Sequence, residues 1–277
     1  MREKTLAQSI TYQGIGLHSG AEVNLIIHPA DAGTGILFRR VDLPGKPEFK
    51  ATVSNVISTL RCTALGISEA VKVMTVEHLM AAFNGLGVDN AIVELDNCEI
   101  PVADGSAAVW VRLINEVGLI EQNQAREYIE LLEPVWVEDK RAKLIALPAE
   151  KLSVSYLFTS DHPVVGNQFG EYSVEPEIFA EKIAPARTLG FAAEVEALRK
   201  QGLALGGSLE IAVIIGSDGY LNEVRFTDEV VRHKALDLIG DLGLLGRLKA
   251  QVIGIRSGHH LNVLLGQKIL ATLGNRR

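Results

Sequence analysis

Apolar and polar residues alternate at Val23, Leu25 and Ile27, the period-two pattern of a strand with one buried face. The pattern resumes over residues 36–41, beyond the turn-forming Asp31-Ala32-Gly33-Thr34-Gly35, and closes at Asp42-Leu43-Pro44-Gly45. Together these runs predict an antiparallel hairpin with a long loop. Further short strands are expected over residues 51–57 and around Cys62. The period then changes. Thr75 is a good N-cap for a helix over residues 76–84, with Gly85 as its stop. Residues 88–95 read as a strand, and Gly105-Ser106 precedes a second helix over 107–117. The polar segment 121–125 is the expected linker.

The second half repeats this plan. Strands are expected over residues 128–137, 143–147 and 152–158, then an insertion over about 161–207 with helical segments at 176–183 and 192–201. A strand at 211–215, a helix over 228–239 capped by Thr227, a strand at 251–256 and a last helix at 261–271 complete it. Val76-Glu77-His78, with Gly85 seven residues after the His, parallels Val231-Arg232-His233, with Gly240 seven residues after that His. So short a match fits chance as well as duplication. Duplication would give an α+β fold of two similar domains, 1–123 and 124–277, each a mainly antiparallel sheet with two helices packed on it, with the active site expected at the domain interface.

The chain has 277 residues, enough for one large domain or two ordinary ones. Its net charge of −7 argues against a nucleic-acid polymer as partner. No apolar run reaches the ~18 residues of a transmembrane helix, and Met1-Arg2-Glu3-Lys4-Thr5-Leu6-Ala7 shows no secretory apolar core. Two cysteines, Cys62 and Cys98, make neither a disulfide framework nor a four-thiolate zinc site. The expected compartment is a reducing cytoplasm, and any metal must be held by His and carboxylate.

His233-Lys234-Ala235-Leu236-Asp237 is the strongest local signal. On a helix, His233 and Asp237 lie one turn apart on one face and can offer a nitrogen and an oxygen to one ion, and Asp241 extends that face. The same spacing describes a surface His–Asp pair. His78 could supply a third ligand, with Glu77 as general base for a metal-activated water. Position i+4 from His78 is Ala82, so this is not a His-Glu-x-x-His motif, and a Glu in a first helical turn is also ordinary. Ser257-Gly258-His259-His260-Leu261-Asn262 sits at a strand-to-helix junction, where a His can be a tuned acid or a solvent-facing loop residue. Gly202-Leu203-Ala204-Leu205-Gly206-Gly207-Ser208 lacks the ending of a P-loop and reads as a flexible loop beside a cleft. His18, His28 and His162 show no partner.

Taken together, the chain resembles the UDP-3-O-acyl-N-acetylglucosamine deacetylase (LpxC) family. The resemblance rests on the ordered set Gly16-Leu17-His18-Ser19-Gly20, Thr75-Val76-Glu77-His78-Leu79, Pro101-Val102-Ala103-Asp104-Gly105-Ser106-Ala107-Ala108, Ala186-Arg187-Thr188-Leu189-Gly190-Phe191, Leu205-Gly206-Gly207-Ser208, residues 231–242, and Ser257 to Asn262. It implies a zinc amidohydrolase that removes the acetyl group of UDP-3-O-(3-hydroxyacyl)-N-acetylglucosamine, the committed step of lipid A biosynthesis. His78, His233 and Asp237 match the family's ligands for one Zn²⁺; Fe²⁺ also suits two His and one Asp. Glu77 matches the general base, His259 the second catalytic group, Asp241 the residue that orients it, and Thr188 an oxyanion donor, with Lys234 beside the site. Cys62, Leu189, Phe191, Leu203, Leu205 and Gly206 fall at substrate-binding positions, and the insertion corresponds to the family's acyl tunnel. A basic cluster of Arg187, Lys234, Arg256 and His259 would offset the acidic balance for a nucleotide.

The implied setting is a monomer in the cytoplasm of a bacterium with an outer membrane, without a transmembrane segment. Its product goes on to a membrane lipid, which admits peripheral contact with the inner membrane. Two departures stand out. Ser160 occupies the position before Asp161-His162-Pro163 where the family often has an aromatic residue, with Phe158 nearby, and Leu189 stands where Phe is frequent. Competing readings are a zinc amidohydrolase of another N-acetylated sugar, suggested by Ser160, and a non-catalytic nucleotide- or glycan-binding module.

Overall fold

The computed structural model describes residues 1–274. The first half contains β1 (Arg2–Leu6), β2 (Ile10–Ile15), β3 (Glu22–Pro29), β4 (Ile36–Arg40), β5 (Glu48–Lys50), the short β6 (Val56–Ser58), β7 (Ala64–Gly66) and β8 (Lys72–Val73), then α1 (Glu77–Leu86), β9 (Ala91–Leu95), α2 (Ala108–Val117) and β10 (Leu119–Ala125). The second half contains β11 (Ile129–Glu130), β12 (Val135–Asp139), β13 (Ala142–Pro148), β14 (Ser153–Phe158), β15 (Gln168–Ser173), α3 (Pro176–Ile178) running into a π-helical turn at Phe179–Ile183, β16 (Leu189–Phe191), α4 (Ala192–Lys200), β17 (Val213–Ile215), α5 (Glu229–Gly243), β18 (Leu248–Ile255) and α6 (His259–Gly274).

The fold is α+β, as expected, and the two halves share one topology. The strand orders are β2-β3-β9-β4-β5 and β12-β13-β18-β14-β15. In each, the strand that separates the two helices in sequence takes the sheet centre. β9 runs antiparallel to β3 and parallel to β4, and β18 runs antiparallel to β13 and parallel to β14. The chain is therefore a duplicated β-β-β-β-α-β-α unit. The excursions fall at the same point in both units, between the fourth strand and the first helix. One carries β6–β8, and the other carries α3, the π-turn, β16, α4 and β17.

This order corrects several expectations. The runs at β3 and β4 form no hairpin, because β9, with both ends of its alternation buried, inserts between them. Segment 121–125 is no linker: it is part of β10, paired with β1 out to Arg2 opposite Ala125. The insertion expected at 161–207 begins later, since β15 pairs along the whole of β14 and is a sheet strand. Gly85 does not stop α1; Gly87, left-handed at φ +83°, does. Thr75 is not the N-cap, which is Val76. It takes φ +57°, costly for a β-branched residue, and its hydroxyl donates to Glu99 at 2.7 Å. Asp228, rather than Thr227, precedes α5.

α5 is buried on nearly all sides, between α1 and strands β14 and β15. Two glycines set how closely the helices meet. A Cβ on Gly240 of α5 would lie 2.0 Å from the Glu77 carbonyl oxygen, and one on Gly85 would lie 2.3 Å from the Phe179 ring. The core is continuous across this contact, with Leu79, Met80 and Phe83 of α1 in the same cluster as Val231, Leu236 and Ile239 of α5.

Candidate metal centre

The close α1–α5 crossing brings the first turn of α1 against one face of α5. His78, His233 and Asp237 converge there, all nearly fully buried, with one ligating atom from each within 4.8 Å of the others. Asp237 Oδ1 lies 3.2 Å from His233 Nε2 and 3.7 Å from His78 Nε2. Two ligands about 2.0–2.1 Å from a tetrahedral ion stand roughly 3.3 Å apart, so the set has the spacing of a metal site. The surroundings leave the right atoms free. His233 Nδ1–H donates to the Ala186 carbonyl at 3.0 Å, which presents the Nε2 lone pair to the site. Lys234 Nζ donates to Asp237 Oδ2 at 2.9 Å, leaving Oδ1 for the histidines. Burial, with His233 adding, pushes His78 down to about 3, so its ring is neutral and ready to ligate. Burial opposes the charge of Asp237, but His233 and Lys234 hold its carboxyl well below the usual range. The donor set fits a divalent zinc-like cation.

A second group of side chains adjoins the first. Asp241, one turn beyond Asp237, accepts three hydrogen bonds: from His259 Nδ1–H at 2.9 Å, Asn262 Nδ2 at 2.9 Å and the Thr63 hydroxyl at 2.6 Å. His259 Nε2 points toward Glu77, 3.9 Å from Oε1, while Glu77 Oε2 accepts the Thr63 N–H at 3.0 Å. Burial pushes Glu77 up to about 8, against the pull of His259. Burial also opposes protonation of His259, but the charge and hydrogen bond of Asp241 outweigh it and raise the ring to about 9. Glu77 is thus a stronger base than an ordinary carboxylate, set beside an imidazolium able to give a proton.

These groups open into a cavity of about 610 Å³. Its walls include Thr188 and Lys234 at the metal end and Leu189, Phe191, Val195 and Leu198 along β16 and α4. Cys62, Leu203, Leu205 and Gly206 are not among the lining residues. Cys62 is buried, its thiol pushed up to about 12 by burial with Glu77 adding. Leu205 is half exposed, and Gly206 N–H donates to the Leu17 carbonyl at 3.0 Å. Arg187 is not part of a free basic cluster: its guanidinium is buried against Glu229 at 3.0 Å. Phe158 lines the cavity, while the Ser160 hydroxyl accepts the His162 N–H at 3.1 Å. Of the adjacent histidines, His259 is the less exposed, with 12% of its side chain accessible, and His260 is exposed. His28 pairs with Glu94 at 3.1 Å, and the His162 ring packs 5.7 Å from that of Phe191.

Sequence reasoning missed Thr63, which touches both Glu77 and Asp241, and gave Asn262 no role. Asn262 stands three residues after His259 at the start of a helix, so both can reach one carboxylate; that spacing was readable. Thr63 carries no comparable signal.

A family model for UDP-3-O-acyl N-acetylglycosamine deacetylase (LpxC) matches residues 3–271. Relatives named UDP-3-O-acyl-N-acetylglucosamine deacetylase are 46% identical in a Nostoc species, over 98% of this chain and 99% of the relative. One in Citrifermentans bemidjiense is 45% identical, over 97% and 88%, and one in Pseudomonas entomophila is 45% identical, over 98% and 91%.

Proposed function

We propose, from a chain that belongs to the UDP-3-O-acyl N-acetylglycosamine deacetylase family, that His78, His233 and Asp237 hold one catalytic Zn²⁺ and that Glu77 and His259 carry the protons of acetamide hydrolysis. The protein is a deacetylase of lipid A biosynthesis that acts on the acetamide of a UDP-3-O-acyl-N-acetylglucosamine. The observation that carries the residue assignment is the adjacency of the buried His₂Asp set to the Glu77–His259 pair.

A divalent ion, when bound there, supplies the charge that polarises the acetamide carbonyl and acidifies a water molecule. Glu77 takes the proton from the attacking water. Its Thr63 contact fixes one oxygen and leaves Oε1 facing His259. The Thr188 hydroxyl, in the cavity wall, is the donor for the developing oxyanion. His259, held by Asp241 and charged near neutrality, donates to the departing amine, which is a poor leaving group without a proton. Lys234 fixes the unused oxygen of Asp237. The apolar wall of Leu189, Phe191, Val195 and Leu198 takes the 3-hydroxyacyl chain.

We place the protein in the cytoplasm of a bacterium with an outer membrane, as a monomer with peripheral access to the inner membrane surface. No helix among the described residues is long and apolar enough to cross a membrane. The division into units 1–123 and 124–277 is supported by the repeated strand order, with β10 crossing that boundary by two residues. The test is bound-metal analysis coupled to acetate release from the UDP-linked substrate. One ion per chain and turnover abolished by chelator, then restored by added Zn²⁺ or Fe²⁺, are expected. Turnover indifferent to chelator would refute the metal assignment, and equal turnover on the sugar lacking UDP would point to a different sugar substrate.

A further inference from the structure

His18 takes no part in the proton transfers, yet it lies in the cavity wall. Its backbone is pinned from below by Glu99. That fully buried carboxylate accepts the N–H groups of His18 at 2.9 Å and Ser19 at 2.7 Å, besides the Thr75 hydroxyl. Gly16 is required for this approach, since a Cβ there would lie 2.3 Å from Glu99 Oε2. The pinned loop holds the segment after α4: Gly206 N–H donates to the Leu17 carbonyl at 3.0 Å, Leu205 N–H to the His18 carbonyl at 3.3 Å, and Ala204 N–H to His18 Nδ1 at 3.3 Å.

The last contact decides the tautomer. Because Nδ1 accepts a hydrogen bond, the neutral ring carries its proton at Nε2. Burial favours this neutral form, against the nearby charge of Glu99. His18 is 94% buried, and its Nε2 has no hydrogen-bond partner among the described residues. Buried donors are nearly always paired, so an orphan in a cavity wall marks the place of a ligand acceptor. The ring lies at the junction between two regions. Its electrostatic neighbours are Glu99, His259 and Arg61, whereas its neighbours in the wall are Leu17, Ala204 and Gly207.

We propose that His18 is a specificity-determining residue that donates its Nε2–H to the ester carbonyl oxygen of the substrate's 3-O-acyl group. This rests on the deacetylase reading. The acetamide and the acyl ester occupy adjacent carbons of the sugar ring. With the acetamide at the His78–His233–Asp237 end, the ester carbonyl enters the cavity where the proton-transfer groups give way to the apolar wall. It is the strong acceptor nearest that junction. A site built to hydrogen-bond a group discriminates against analogues that lack it, because the protein donor is then left unpaired.

The test compares kcat/KM for the 3-O-acyl ester and a 3-O-alkyl ether of equal chain length, in wild type, His18→Asn and His18→Gln. Asn retains an acceptor for Ala204 N–H and removes the Nε2 donor, whereas Gln places an N–H near the Nε2 position. Wild type is expected to prefer the ester about tenfold or more. His18→Asn should lose that preference by slowing on the ester while changing little on the ether, and His18→Gln should recover part of it. An equal loss on both substrates, or a wild type indifferent to the carbonyl, overturns the assignment. If one variant fails to fold the other carries the comparison, and a wild type that does not prefer the ester overturns the assignment without either. Acetate release by wild type checks the deacetylase reading separately. Calorimetric binding of the same two ligands measures the ester–ether difference even where no acetate appears.

Discussion

Replacing Asp241 by Asn tests the electrostatic core of the site. Asp241 is 1% exposed and accepts His259 Nδ1–H at 2.9 Å. Its charge and that hydrogen bond overcome burial and lift His259 from 6.5 to about 9. The shift corresponds to about 3 kcal/mol of preference for the imidazolium. In Asp241→Asn the charge is gone and burial is opposed only by Glu77 and Asp237, so the midpoint should fall to ~6.5 or below. At pH 8 the wild-type ring is about nine-tenths charged and the variant ring about 3%, a roughly thirtyfold difference in the competent acid. The direct assay is NMR titration of the His259 ring in chelated protein, followed by kcat against pH in loaded enzyme. A bound dication lowers both midpoints together, so the difference between the proteins is the quantity to read. The sign for stability follows from the same shift. A folded-state value above 6.5 contributes stability that is fully present below pH ~6.5 and lost as pH rises through about 9, so metal-free wild type should lose more stability across that window than the variant. An unchanged His259 midpoint in Asp241→Asn, with an unmoved alkaline limb of kcat, would refute the reasoning.

Glu77→Ala should abolish nearly all turnover while zinc content stays at the wild-type level, because Glu77 faces the ligands without being one; retained acetate release would remove it as base. His233→Ala and Asp237→Ala should each lower the bound metal measured by elemental analysis, and unchanged stoichiometry in both would disprove the ligand set. Gly240→Ala places a Cβ 2.0 Å from the Glu77 carbonyl oxygen, so α1 and α5 must separate. It should cost about 1–3 kcal/mol in denaturant titration and weaken metal affinity, since His78 and His233 ride on opposite sides of that contact.

How much of this was legible in the chain depends on the range of each signal. The His233–Asp237 pair was, because both groups sit on one helix and its period alone puts them on one face. The meeting of His78 with them was not, because it depends on two helices crossing where Gly240 leaves no side chain. The seven-residue His-to-Gly spacing was visible, but its meaning is steric: Gly85 and Gly240 are contact points rather than helix ends. Period-two patterns located β3 and β4, but alternation reports which face of a strand is buried, not which strand lies beside it, so the insertion of β9 escaped notice. β15 was hidden because its sequence, Gln-Phe-Gly-Glu-Tyr-Ser, exposes Phe169 and buries Gly170 and Tyr172, a weak apolar alternation.

The duplication also explains why the centre is asymmetric. Matched positions on the first helix of each unit supply His78 and His233, and the packing of α1 against α5 brings them together with ring centroids 5.0 Å apart. Four residues further on, the helices diverge. α1 has Ala82, fully buried in the core, where α5 has Asp237; after four more, α1 has Leu86 where α5 has Asp241. α1 therefore spends its continuing face on packing, and only α5 adds the carboxylates that complete the proposed ligand set and accept the hydrogen bond of His259. In return α1 contributes Glu77, where α5 has Arg232, whose guanidinium instead pairs with Asp228 at 2.6 Å away from the ligands. A repeated frame fixed the two histidines, and chemistry arose where the copies stopped matching.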